Sequence, residues 1–373
     1  MVYYNIPINF VAKRFFEIVA EQEDTMLSIC MITKNEQTNL ERCLRSLSGF
    51  HFELVVVDTG STDHTLEIAR KYTDSVYEFA WCDDFAKAKN YAVSKARHDM
   101  VLVLDSDEYV RSIHLEELTG LIQKFPDKVG RIQRYNQLEQ NHEIRESKEY
   151  INRLFNRKQF HYKGKIHEQL VSFNGNPYST YLAPVSIGHT GYLLSEEARL
   201  QKAQRNIHLL EQELARGADP YVLSQLGKSY YMIQNYEMAI KYFGEALSFD
   251  LDPKLEYVID MVDCYGYALL NGGHADEALS FQNIYGEFGC RADFQFLMGL
   301  IYMNNEQFNA AIQEFIKAAQ QRDCRMEGVN SYLAYYNIGV IYECLGNKIK
   351  AKEAYLKCGD YVPAKKQLTA LIV

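Results

Sequence analysis

The strongest constraint on this chain is a change of grammar near residue 195. Between residue 27 and about residue 135, short runs rich in Val, Ile and Leu alternate with segments of helical spacing. That is the pattern of β-α-β units building a mostly parallel sheet. The apolar runs are LSICMIT (27–33), ELVVVD (53–58), SVYEFA (75–80) and MVLVLD (100–105), with NLERCLRSL, TLEIARKY and FAKAKNYAVSKA between them. Asp83 or Asp84 is placed to cap the third helix. From Ser195 onward the strand signals vanish and the pattern becomes helix, turn, helix, with Ser195 as N-cap and Glu196 and Glu197 at the positive end of the helix dipole.

Aligning the small residues of the second half exposes a degenerate repeat. Leu226-Gly227 with Tyr230, Ala239, Phe243 and Ala246 is echoed by Met298-Gly299 with Tyr302, Ala311, Phe315 and Ala318. A third copy runs Ile338-Gly339, Tyr342, Ala351, Tyr355 and Pro363, and a weaker one centres on Gly266 and Ala278. The glycines at 227, 266, 299 and 339 fall 39, 33 and 40 residues apart, bracketing the 34-residue period of tetratricopeptide repeats, which this half resembles. Gly and Ala let paired helices approach closely while Tyr and Phe fill the space between pairs, so most of these aromatics are core. A peptide-binding groove on the concave side is the alternative use for the remainder. The expected organisation is an N-terminal segment (1–25), an α/β domain (26–194) and an all-α repeat solenoid (195–373).

With 373 residues and a net charge of -9, the chain has room for two cores and is ill suited to nucleic acid, whose phosphates need a basic face. No run approaches 18 uncharged apolar residues, so no transmembrane segment is expected. The first 25 residues carry Lys13, Arg14, Glu17 and Glu21 through their one apolar stretch, which is no signal-peptide layout. A short amphipathic helix there would pack on the protein or contact a second copy in a homodimer, and a cytoplasmic location is expected. The eight cysteines include no C-x-x-C pair and are expected to be reduced and mostly buried.

In open α/β sheets the ligand site lies beyond the carboxyl ends of the strands. Three polar clusters stand there: Thr33-Lys34-Asn35-Glu36, Asp58-Thr59-Gly60-Ser61-Thr62-Asp63 and Asp105-Ser106-Asp107-Glu108. Two carboxylates one residue apart at a strand end can simply cap a helix, or make a hard oxygen site for Mg²⁺ or Mn²⁺ that keeps positions open for phosphate oxygens. Downstream, RLFNRKQFHYKGKIHEQL holds Arg153, Arg157, Lys158, Lys163 and Lys165 with no acid before Glu168. It is either a solvated basic face or a wall facing a diphosphate and an acceptor. His161, His167 and His189 are individually ambiguous.

Taken together, ICMITKNE, VVVDTGSTDHT, DDFAKAKNYA and VLVLDSDEYV, in this order, resemble the nucleotide-binding half of family 2 glycosyltransferases of the GT-A fold. The resemblance implies a UDP-sugar donor bound by Thr33, Asn35, Glu36, Asp58, Ser61, Lys89, Asp105 and Ser106. It further implies a metal held by Asp107 and His189, and Glu168 as general base, with Asp84 and Glu108 as competitors for that role. Lys89 stands where the family usually has Arg, keeping the charge but losing the bidentate fork. IHEQ offers one carboxylate where the family more often has an acidic pair.

A GT-A domain, the HE and GHTGY elements and C-terminal repeats in one chain resemble the sublancin-type glycosyltransferases of bacteriocin peptides. The expectation is inverting, metal-dependent transfer of a hexose, glucose foremost, from a UDP-sugar to Cys or Ser of a small peptide. The alternatives are a transferase of lipopolysaccharide or another envelope glycan, and a non-catalytic repeat scaffold.

Overall fold

A computed structural model describes residues 27–140, 143–191 and 195–371; the expectations for the first 25 residues lie outside these. The chain divides into two compact units, one holding residues up to 135 together with 150–191, the other holding 136–149 together with residues from 192 onward.

The first unit is built on an eight-stranded sheet. Its parallel part comprises β1 (Leu27–Thr33), β2 (Glu53–Asp58), β3 (Val76–Glu78) and β4 (Met100–Val103). Six further strands follow: β5 (Glu108–Ile113), β6 (Val129–Gln140), β7 (Glu143–Asn156), a small separate hairpin β8 (Phe160–Lys163) and β9 (Gln169–Ser172), and β10 (Thr180–His189). The order across the large sheet is β3-β2-β1-β4-β7-β6-β10-β5, with β7 antiparallel to β4 and β5 antiparallel to β10. The first two strands match the apolar runs residue for residue. The third shrinks to three residues, and the fourth stops at Val103; Leu104 still donates its N–H to the Cys30 carbonyl of β1 at 3.1 Å, and Asp105 to Asp107 form the turn that follows.

β1 is buried along its whole length because both faces are covered. Ile29 and Met31 pack with Leu40, Cys43, Leu44 and Leu47 of helix α1 (Gln37–Leu47) on one face. Cys30 and Ile32 pack with Ala86, Ala88, Ala92 and Val93 of α3 (Phe85–Ser94) on the other, as the two-residue period of a strand requires. A short α2 (Thr65–Ala69) lies between these two in sequence, and α4 (Leu115–Lys124) follows β5. Asp84 caps α3, accepting from the Lys87 N–H at 2.9 Å.

In the second unit Ser195 caps α5 (Glu196–Leu214). Helical pairs follow: α6 (Pro220–Met232) with α7 (Tyr236–Leu247), α8 (Glu256–Asn271) with a 3₁₀ helix (Glu277–Ile284) and short α9 (Tyr285–Phe288), and α10 (Ala292–Asn304) with α11 (Phe308–Gln320). The last elements are α12 (Tyr332–Cys344), α13 (Lys348–Leu356) and α14 (Val362–Ala370). The repeat glycines are contact points. A methyl group at Gly227 or Gly299 would come within 2.6 Å of the Phe243 or Phe315 ring of the paired helix, and at Gly266 within 2.5 Å of Leu297. The weaker copy around Gly266 is the one whose second helix has tightened to 3₁₀.

The 40-residue interval between Gly299 and Gly339 has a use. The loop after α11 pairs with the distal end of β7, Ser147 bridging Met326, with Lys148 N–H donating to Arg325 O at 2.9 Å and Glu327 N–H to Glu146 O at 3.0 Å. Arg145 reaches the Tyr361 hydroxyl at 3.2 Å. The thiols are less buried than expected: Cys30, Cys43 and Cys358 are buried, whereas Cys82, Cys290 and Cys344 are exposed, and none is bridged. Among the described residues no helix is long and apolar enough to cross a membrane.

Gly299→Ala should cost about 1–3 kcal/mol because Phe315 must leave its rotamer. Gly244→Ala, in α7 with its nearest side-chain atom 3.9 Å away, should be neutral or stabilise by up to about 1 kcal/mol. Urea midpoints of the two variants check both; equal midpoints would refute the role of Gly299 in packing.

Candidate active site

Thr33 and Asp58 are register partners at the carboxyl ends of β1 and β2, and both are buried. Asp58 accepts the Gly60 and Ser61 N–H groups through Oδ2, at 2.9 Å each. Its Oδ1 and the Thr33 hydroxyl are buried with no protein partner. Unsatisfied buried polar atoms are costly and rare, so such a pair points to a ligand that pairs with them. Asn35 stands alongside in the left-handed region, φ 54°. Its N–H donates to Ser61 Oγ at 2.9 Å, and its Oδ1 accepts the Thr62 N–H at 2.8 Å. The Glu36 N–H donates to Thr65 Oγ1 at 2.8 Å. The first two polar clusters of the sequence therefore form one interlocked loop pair.

The third cluster sits on a knot of charge. Asp105 pairs with Arg153 of β7 at 2.5 Å and with Lys89 of α3 at 2.8 Å, and the same Lys89 ammonium reaches Glu168 at 2.6 Å. Lys89 is 4% exposed. Burial pushes its ammonium down and Arg153 adds to that, but Asp105 and Glu168 outweigh both, leaving it above its ordinary value. Burial pushes Asp105 up, yet Arg153 and Lys89 hold its carboxyl well below the usual range. Tyr162, whose ring centroid is 5.6 Å from the ammonium, is pushed up by burial to about 12 and stays neutral. Lys89 thus sits between two carboxylates.

Glu108, fully buried, accepts the Asp105 N–H at 2.8 Å and faces Arg134 at 3.2 Å and Arg153 at 3.6 Å. Asp84 is engaged as the cap of α3. Of the three acids weighed as general base, these two are held in supporting contacts, and Glu168 is the one attached to the charge knot through Lys89. Ser106 is buried in the turn beside it.

Asp107 and His189 come together across the β5–β10 pair, Oδ2 to Nε2 at 3.3 Å. β10 is in register so that His189 lies opposite Glu108. Gly188 leaves space for the Tyr109 ring, and a side chain at Gly191 would strike both Asp107 and His189. Arg42 of α1 lies 5.0 Å over Tyr109 and donates to the Thr190 hydroxyl, which is itself within 3.3 Å of the Asp107 carbonyl. Among the described residues no group of three His, Cys, Asp or Glu side chains is arranged to hold a metal. A carboxylate and an imidazole nevertheless fit Mg²⁺ or Mn²⁺, which take few protein ligands when phosphate oxygens and water complete the shell.

The basic run divides. Arg153 enters the charge knot, Arg157 donates to the His98 carbonyl at 2.8 Å, and Lys158 pairs with Asp99 at 2.7 Å. Arg153 was anticipated only as a member of the basic run, and Arg42 and Thr190 were not named for the site. For Arg153 the available signal was a cation inside the apolar stretch YINRLF; nothing local marks the other two.

Lys89→Met leaves Asp105 with Arg153 alone and Glu168 without its ammonium partner, and should destabilise the protein by about 3–5 kcal/mol at pH 7. The Asp105 contribution is present above the ordinary aspartate value of about 3.9 and is lost as pH falls through its lower folded value. Wild type should therefore lose more stability than Arg153→Ala on acidification below pH 4, as followed by urea denaturation. A Lys89→Met midpoint equal to wild type would contradict the network.

Residues 28–178 match the family model for Glycosyl transferase family 2, and residues 221–253, 292–322 and 332–358 match Tetratricopeptide repeat. The SPbeta prophage-derived glycosyltransferase SunS of Bacillus subtilis (strain 168) is 26% identical over 241 residues, which are 61% of this chain and 55% of that protein. The chain thus spans about half the length of this curated relative. A tetratricopeptide repeat-containing protein of Synechococcus elongatus is 44% identical over 82 residues, 22% of this chain and 20% of that one. An uncharacterized glycosyltransferase of Rickettsia conorii is 38% identical over 82 residues, 22% of this chain and 29% of that one. The chain therefore carries a glycosyltransferase domain of family 2, residues 28–178, followed by tetratricopeptide repeats.

Proposed function

We propose that the first unit transfers a hexose, glucose foremost, from a UDP-sugar to a Cys or Ser side chain of a bacteriocin-type peptide, with inversion and with Mg²⁺ or Mn²⁺ bound. The observation that carries this reading is the placement, at the carboxyl end of one sheet, of the unpartnered Thr33 and Asp58 oxygens and of the Asp107–His189 pair. One offers partners to a nucleoside and the other a hard site for a metal diphosphate. The similarity to SunS, a glycosyltransferase, supports the reaction type, and the repeats supply a protein-binding module for the acceptor.

In this reading Thr33, Asn35, Glu36, Asp58 and Ser61 hold the nucleoside. Asp107 and His189 would hold the ion, which would supply positive charge beside the departing diphosphate. Asp105 fixes the turn that presents Asp107, through Arg153 and Lys89. Glu168 takes the acceptor proton as the nucleophile approaches the anomeric carbon, a contribution of about 10² to 10⁴ in rate. A thiol needs less of this help than a hydroxyl, because its ordinary pKa is about 8.5.

Intact mass after incubation with a panel of UDP-sugars and Cys- or Ser-bearing peptides tests the reading; one added hexose on a peptide is expected. Asp107→Ala should abolish transfer, and Glu168→Gln should keep UDP binding while lowering transfer by about 10² to 10⁴. Unchanged turnover in Asp107→Ala would remove the metal role, and hexose appearing only on an envelope glycan would move the acceptor assignment there.

A further inference from the structure

The chain has one tryptophan, Trp81, in the loop that joins β3 to α3. Its indole packs edge-on against Phe85, ring centroids 4.8 Å apart and planes at 70°. Its Nε1 donates to Asp83 Oδ1 at 2.8 Å. Asp83 adopts φ 55°, a conformation that costs a non-glycine residue about 1–2 kcal/mol. The loop thus holds a half-buried ring in one orientation at the cost of local backbone energy. With its N–H satisfied internally, what the indole offers a ligand is its π face, which attracts the positively polarised C–H edge of a partner.

Its position gives that face a use. Phe85 is the first residue of α3, and Lys89 lies one turn further along the same side of the helix. Lys89 touches both Asp105 and Glu168. The Phe85 N–H donates to the carbonyl of Lys165 at 2.8 Å, three residues before Glu168. Trp81 is therefore tied through Phe85 to both segments that carry the charge knot. It follows β3, whose Glu78 is the register partner of Asp58 and whose next residue, Phe79, donates its N–H to the Asp58 carbonyl at 2.8 Å, so the loop leaves from the sheet end that holds the unpartnered Thr33 and Asp58 oxygens.

We propose that Trp81, held by Asp83 and Phe85, is the platform on which the pyranose ring of the donor lies, with the sugar's C–H face against the indole. This rests on the donor reading above and adds the residue that recognises the sugar as distinct from the nucleotide. An aromatic ring discriminates a flat C–H face from a polar one, so the residue sets preference among hexoses as well as affinity.

The single tryptophan makes the test direct, because intrinsic fluorescence excited at about 295 nm reports Trp81 alone. With Mg²⁺ present, UDP and UDP-hexoses (UDP-glucose, UDP-galactose, UDP-N-acetylglucosamine) are titrated while calorimetry records binding. The expected result is a fluorescence change with at least one UDP-hexose that UDP does not produce. Trp81→Ala should raise KM for that donor about three- to tenfold with UDP affinity unchanged, and Trp81→Phe should restore most of it. If UDP and UDP-hexose both bind and give the same fluorescence response, or if Trp81→Ala weakens UDP equally, the platform is refuted and the donor site stands. If neither binds, the donor reading itself fails, and this inference with it.

Discussion

A buried ammonium shared by two carboxylates organises the functional end of this protein. Lys89 alone would be costly to bury, and so would Asp105 and Glu168; together with Arg153 they form a set in which each charge offsets the desolvation of its neighbours. The set joins α3, the turn after β4, strand β7 and the loop bearing Glu168, four pieces distant in sequence. The neighbouring turn, which carries Asp107 to His189, is presented from this anchor. Replacing Lys89 by any shorter or neutral side chain would unbalance two acids at once.

The same division of labour runs through the site. Groups that hold the architecture are saturated: Glu108 by two arginines and a backbone N–H, Asp84 by its helix cap, Asp63 by Thr65. Among the buried polar atoms left unsatisfied, Thr33 Oγ1 and Asp58 Oδ1 are the two at the carboxyl ends of neighbouring parallel strands, where open α/β sheets take their ligands. An unpaired carboxylate oxygen at a strand end is expensive for folding alone, and its retention is understandable if nucleotide pays that cost on binding.

How far these features could be read from the letters depends on range. β1 and β2 are legible to the residue because each is a short apolar run buried on both faces and closed by a polar cluster. The repeat glycines are legible because steric demand at Gly227, Gly299 and Gly339 is met within the next helix. The antiparallel half was not anticipated. Segments such as RIQRYNQLEQ place charges on both sides of the strand, and what makes them strands is pairing with partners tens of residues away. Arg153 was legible only as part of a basic run for the same reason: its pairing with Asp105 exists only once β7 lies beside β4. The Asp107–His189 pairing was implied by the family resemblance, although the β5–β10 register that produces it is encoded by no local pattern.

The second unit shows where an irregularity carries information. The longest interval between repeat glycines contains the loop that receives the distal end of β7 through Met326 and Arg325, so an apparent lapse in periodicity is a binding segment for another part of the chain.

The central claim is that a divalent ion and a nucleoside diphosphate meet between Asp107 and His189. Anomalous scattering from a crystal grown with Mn²⁺ and UDP measures it most directly. One manganese peak within coordinating distance of both side chains, with the uridine against Thr33 and Asp58, is the result expected; manganese bound elsewhere, or UDP bound with that pair left apart from it, would contradict the claim.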